Sequence, residues 1–113
     1  MKVTIGGVSY DIIYEDTRKA IAPNKPIGQI DYLKNKIQIY KHMTVCRKRR
    51  SLMHEIVHGI IVGYHLKDLV HDDGRHNEAA VDLLAIGIVE AIESLGLCIP
   101  VEANGSQDSR ADA

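Results

Sequence analysis

The sequence predicts an α+β fold, with a small N-terminal sheet, antiparallel or mixed, followed by two packed helices. Three observations carry this. The first forty residues alternate apolar and polar side chains in short runs broken by Gly, Pro and Asn, as half-buried strands do. The pattern then changes to a helical period over 45–65. A second helical run, apolar on nearly every side, covers 77–95.

The 113 residues suit one domain, placed at 1–100, with one modest core. There is no Trp and no Phe, so the core must be built from Ile, Val and Leu. The formal net charge of −1 provides no basic field for nucleic acid. The opening Met1-Lys2-Val3-Thr4-Ile5 has no signal-like apolar region, and no apolar run reaches membrane-spanning length. Cys46 and Cys98 lack metal-ligand spacing and read as free thiols. These features lead us to expect a soluble, cytoplasmic protein.

Residues 2–5 and 8–14 read as strands, with Val3/Ile5 and Val8/Tyr10/Ile12 on their apolar faces. Gly6-Gly7 between them fits a tight hairpin turn or a bulge in one bent strand. Residues 15–26, with two prolines and several charges, form a loop with room for a helical turn before Pro23. Residues 28–41 read as a hairpin: Ile30 and Tyr32 on one arm, Ile37 and Ile39 on the other, Leu33–Lys36 as the turn. The arm 37–41 leads into the first helix and is the expected neighbour of the functional site.

The first helix should span 45–65, capped by Thr44. Met53, Ile56, Val57, Ile60, Ile61 and Tyr64 share one side of its wheel. Arg47–Arg50 is the one basic cluster. It reads as a solvated first turn, although positive charge there opposes the helix dipole. Residues 66–76 are a polar loop turning at Asp72-Asp73-Gly74. The second helix runs from Asn77 to Leu95, with Gly96 just past its end. A helix apolar all round should be central and buried. Beyond Pro100 the chain is polar and unpatterned, and 101–113 reads as a disordered tail.

The chemistry centres on His54-Glu55-Ile56-Val57-His58, an H-E-x-x-H pattern on the first helix. Histidines four apart lie about 40° apart around a helix and one turn along it, so both can reach one metal ion. Neutral imidazole suits Zn²⁺, whose open position can acidify water. Glu55 can reach that water and take its proton. Glu78 and Asp82, four apart on the second helix, share a face. On a buried helix a carboxylate needs a partner, and a metal with its histidines would provide one.

The segment Asn77-Glu78-Ala79-Ala80-Val81-Asp82 follows N-E-x-x-x-D. With the H-E-x-x-H it resembles the gluzincin metallopeptidases, whose thermolysin-like members carry N-E-x-x-S-D on the next helix; Val81 stands where that pattern has Ser. The resemblance implies a zincin-like fold, Glu78 as third zinc ligand, and Asp82 as the carboxylate that orients a ligand histidine. In size and layout the chain is similar to the ImmA/IrrE-type metallopeptidases of bacteria and phages. It has no helix-turn-helix segment. A third ligand from the metzincin pattern would need Gly at 61 and His at 64, where Ile61 and Tyr64 stand, with His65 displaced by one. His71 and His76 are available to brace a ligand or polarise a substrate. No Ser or Cys is placed for nucleophilic catalysis.

The expected function is therefore a compact zinc peptidase acting on a protein or peptide substrate, such as a repressor. His54, His58 and Glu78 would hold Zn²⁺, Glu55 would be the general base, and the substrate would lie along strand 37–41. Tyr40, Tyr64, His65 and His76 are candidates to stabilise the oxyanion. The alternative is a non-enzymatic, zinc-stabilised interaction module. Glu55 weighs against it, because a structural zinc site closes its fourth position.

Overall fold

The structure is a computed structural model, and it describes residues 1–24 and 26–103. A four-stranded mixed sheet is followed by two helices. The strands are β1 (Lys2–Ile5), β2 (Val8–Glu15), β3 (Gly28–Asp31) and β4 (Lys36–Tyr40), in the order β1-β2-β4-β3. The helices are α1 (Val45–Tyr64) and α2 (Glu78–Ser94).

β1 and β2 form an antiparallel hairpin with Ile5 opposite Val8. Gly6 and Gly7 both have positive φ, which settles the choice in favour of a two-residue turn. The loop after β2 includes the predicted helical turn, Arg18–Ala20, capped by Thr17. Ile21 and the Ala20 carbonyl cover part of the sheet there, and the buried Gln38 amide donates to that carbonyl and to Glu15.

The second hairpin turns one residue earlier than expected. Tyr32–Asn35 form the turn, because Asp31 accepts from the backbone N–H groups of Leu33 and Lys34 and Asn35 takes φ 52°. Tyr32 therefore leaves the strand. β4 then runs between β2, to which it is parallel, and β3, to which it is antiparallel. Residues 37–40 are thus central, with Ile37 and Ile39 fully buried, and the two edges of the sheet are β1 and β3.

α1 crosses the sheet against β1, β3 and β4. It approaches closely through its glycines. A Cβ on Gly59 would stand 3.0 Å from Ile5 Cδ1 and 3.1 Å from Ile30 Cδ1, and one on Gly6 would stand 3.1 Å from Gly63 Cα. Thr44 caps the helix by accepting from Arg47 N–H, and His65, in the left-handed region, ends it. Met53, Val57 and Ile61 are buried as the periodicity predicts, but Tyr64 is 62% exposed.

Three expectations require correction. α2 is not a central helix. It packs chiefly on the outside of α1 through Val81, Ala85 and Val89, and Leu83, Leu84 and Ile86 stay exposed. The basic run is not wholly solvated. Lys48 is fully buried and its Nζ donates to the Glu102 carbonyl at 2.7 Å, while Arg49 donates to the Ile99 carbonyl at 3.0 Å. Those contacts correct the start of the tail as well: Ile99 is buried, Val101 packs on the core, and residues 101–102 are tied to α1. The rest of the predicted tail, 104–113, lies outside the described residues.

No helix among the described residues is long and apolar enough to cross a membrane.

Candidate metal centre

Asn77 sets the start of α2 by accepting from the Ala80 N–H, so Glu78 stands in the first helical turn and faces the middle of α1. There the Nε2 atoms of His54 and His58 lie 3.1 Å apart. Each is also 3.1 Å from a Glu78 oxygen, His54 from Oε2 and His58 from Oε1. The three residues form a group able to hold a metal ion. Ligands at 2.0–2.1 Å from a tetrahedral ion are separated by roughly 3.3 Å, close to the spacing found.

The far side of each imidazole is also engaged. His54 Nδ1 donates to Asp82 Oδ1 at 2.7 Å, since an ionised carboxylate only accepts. His58 Nδ1 is 2.7 Å from Nδ1 of His76, one of the two carrying the proton. With the proton on Nδ1, a neutral imidazole turns its Nε2 lone pair toward Glu78. Three electron-pair donors facing one point repel unless a proton or cation lies between them. Burial, the largest influence on His58, holds its pKa below the ordinary value, against the opposing pull of Glu78. The neutral, ligand-competent form is thereby favoured.

Glu55 points to the sheet side of α1 and is 8% exposed. Burial pushes its carboxyl up to about 7; Glu78 adds to the rise, while His54 and a backbone hydrogen bond from Ile30 pull it down. Gly28 makes room for it, since a Cβ there would stand 3.3 Å from Glu55 Oε2. Glu55 and the three-residue group share one cleft of about 980 Å³, whose walls include Pro23, Gly28, Tyr32, Arg75 and His76.

The predicted site residues thus converge. His54, His58 and Glu78 meet at one point, Asp82 braces His54, and Glu55 borders the same cleft. The reason given for Glu78 and Asp82 needs correction, because both are exposed, at 63% and 65% of their side chains. They reach the histidines from the rim of the cleft, not from a buried helix. His65, at the helix end, is not in the group. Of the oxyanion candidates only His76 lines the cleft; Tyr40, Tyr64 and His65 do not.

The expectation of strand 37–41 beside the site is replaced by β3, which contributes Gly28, Gln29 and Ile30 to the wall. Tyr32 was missed as a site residue because the sequence places it in a strand. Burial, with Glu55, Tyr10 and Glu78 adding to it, raises its pKa, so the phenol remains an O–H donor. The signal that could have found it is Asp31, whose side chain begins the turn one residue early. No family model, curated protein or solved structure matches the chain, so the reading of this centre rests on its own geometry.

Proposed function

We propose that the protein is a zinc-dependent peptidase of zincin-like type, with His54, His58 and Glu78 as metal ligands and Glu55 as general base. One observation carries the reading: two imidazole nitrogens 3.1 Å apart, each 3.1 Å from one oxygen of the Glu78 carboxylate, stand next to a buried carboxylate outside that group. The donor set of two imidazoles and one carboxylate fits Zn²⁺ and leaves a position open. When bound, zinc would supply Lewis acidity toward water and toward the substrate carbonyl.

The chain's own residues do the rest. Glu55, with a carboxyl near 7, accepts a proton from the attacking water and passes it to the leaving amine. Asp82 and His76 hold the two ligand rings in orientation. Tyr32 and Arg75 are the cleft donors able to meet charge developing on the carbonyl oxygen. The free edge of β3 can take an extended peptide by backbone hydrogen bonds.

A second reading, a zinc-stabilised interaction module, draws support from α2, which leaves Leu83, Leu84 and Ile86 exposed. One experiment separates the two. Zinc-loaded wild type and Glu55→Gln are incubated with a bacterial lysate and the cleavage products compared. A peptidase yields products with wild type that fall by orders of magnitude with the variant, at unchanged zinc content. Identical product patterns would favour the interaction module.

A further inference from the structure

The basic run at the start of α1 divides into two pairs. Lys48 and Arg49 turn inward and hold the segment 99–102. Arg47 and Arg50 are exposed and line a second groove of about 400 Å³. Ile27, Asp82 and Ile86 form its other walls, and it meets the main cleft at Gly28, His54 and Glu55. Arg47, Arg50 and His54 are spaced i, i+3, i+7, so they share one helix face. Along the axis Arg50 stands about 6 Å from His54 and Arg47 about 10 Å.

An extended peptide advances roughly 3.3 Å per residue. The two arginines therefore branch from α1 about two and three residue-lengths of an extended peptide before His54. Among the described residues neither is in an ion pair, whereas Arg49 and Arg75 are paired with Glu93 and Asp73. Of the two carboxylates that line the groove, Asp82 is committed to His54 at 2.7 Å and Glu55 is buried. Helix stability does not account for the arginines either, since positive charge near a helix N-terminus opposes the dipole.

We propose that Arg47 and Arg50 select substrates bearing an acidic residue two or three positions from the scissile bond. This rests on the peptidase reading above. A guanidinium binds a carboxylate as a two-pronged fork, which supplies direction as well as charge. A peptide is favoured over a nucleic acid because the groove opens onto Glu55 and the β3 edge.

The test is digestion of a random decapeptide mixture by the zinc-loaded protein, with cut sites read by mass spectrometry. Acidic residues should be enriched several-fold at one of those positions among sites cut by wild type and not by Glu55→Gln. The Arg47→Ala/Arg50→Ala variant should lose that enrichment, and Arg47→Lys/Arg50→Lys should recover part of it. Both arginines are exposed, so folding is not at stake. In parallel, zinc-loaded Glu55→Gln should bind a fluorescein-labelled peptide with two Asp at least tenfold more tightly than its Asn counterpart, and the alanine pair should abolish the difference. Cutting without acidic enrichment, or enrichment that survives the alanine pair, would overturn the specificity and leave the peptidase reading standing. An oligothymidylate bound as tightly as the acidic peptide would overturn it too. No Glu55-dependent cutting anywhere in the mixture would overturn both.

Discussion

Glu55→Gln should make the metal-stripped protein more stable at neutral and alkaline pH. The Glu55 carboxyl moves from 4.5 to about 7 on folding, mainly through burial, which corresponds to about 3 kcal/mol. Below pH 4.5 the group is protonated in both the folded and the unfolded chain and contributes nothing. Between 4.5 and 7 the folded chain holds a proton that the unfolded chain has released, so stability falls as pH rises. Above 7 the full cost of a buried carboxylate is present. Glutamine keeps the shape and a carbonyl acceptor for the Ile30 N–H but carries no charge. The variant and wild type should therefore be equally stable near pH 4, and at pH 8 the variant should be ahead by about 3 kcal/mol, roughly 10 °C in Tm for a chain of this size. Urea denaturation of both proteins in EDTA at the two pH values measures it. Equal stabilities at pH 8, or a less stable variant, would refute the picture of a carboxylate held against its solvation preference. A carboxyl held against its solvation preference beside His54, His58 and Glu78 is the feature on which the proposed role of Glu55 rests.

The other predictions concern the candidate ligands and the contact between Lys48 and Glu102. Purified protein should hold one zinc per chain, and chelation should lower Tm because the ligands join α1 to α2; absence of stoichiometric zinc uptake by metal analysis would remove the site. Glu78→Gln should weaken zinc binding strongly and His65→Gln hardly at all, as measured by competition with a chelating dye; the reverse order would return the third ligand to α1. Asp82→Asn should cost 10- to 100-fold in zinc affinity while leaving metal-free stability nearly unchanged, because Asp82 is exposed and acts through the His54 ring. Lys48→Ala should destabilise the fold by about 1–3 kcal/mol by leaving the Glu102 carbonyl without its donor, seen as a lower urea midpoint with zinc affinity unaltered.

How much of this was legible in the sequence depended on whether the signal was local. The Thr44 cap and the start of the second helix at Asn77 follow from the chemistry of a few residues, whereas Gly6-Gly7 leaves a turn and a bulge open until Ile5 is placed opposite Val8. The pairing of His54 with His58 is local too, since helix geometry places them on one face. Strand order was not legible. Nothing in Lys36–Tyr40 says that β4 runs between β2 and β3, and the hairpin 28–40 could have been added to the sheet by either arm. The full burial of both Ile37 and Ile39 expresses the central position only once the neighbours are known. The expectation of an edge strand at 37–41 therefore fails: that arm is central, and the arm 28–31 lies at an edge.

In the second helix Glu78 and Asp82 meet the histidines for a reason other than burial. The apolar pattern of the second helix predicts burial, and burial would oblige its carboxylates to find partners. In fact α2 is the outer layer, and the first turn that carries Glu78 is open to solvent. Desolvation does not force Glu78 toward the histidines. Cap geometry does: Asn77 fixes where the helix begins, and Val81, fully buried one turn later, fixes which face meets α1. With those two settled, residues 78 and 82 flank Val81 on the rim and reach His54 and His58 from outside. Val81 stands where the gluzincin pattern has Ser, and here it serves as the packing anchor between the helices. Val81→Ser should therefore loosen the contact between α1 and α2 that aims Glu78.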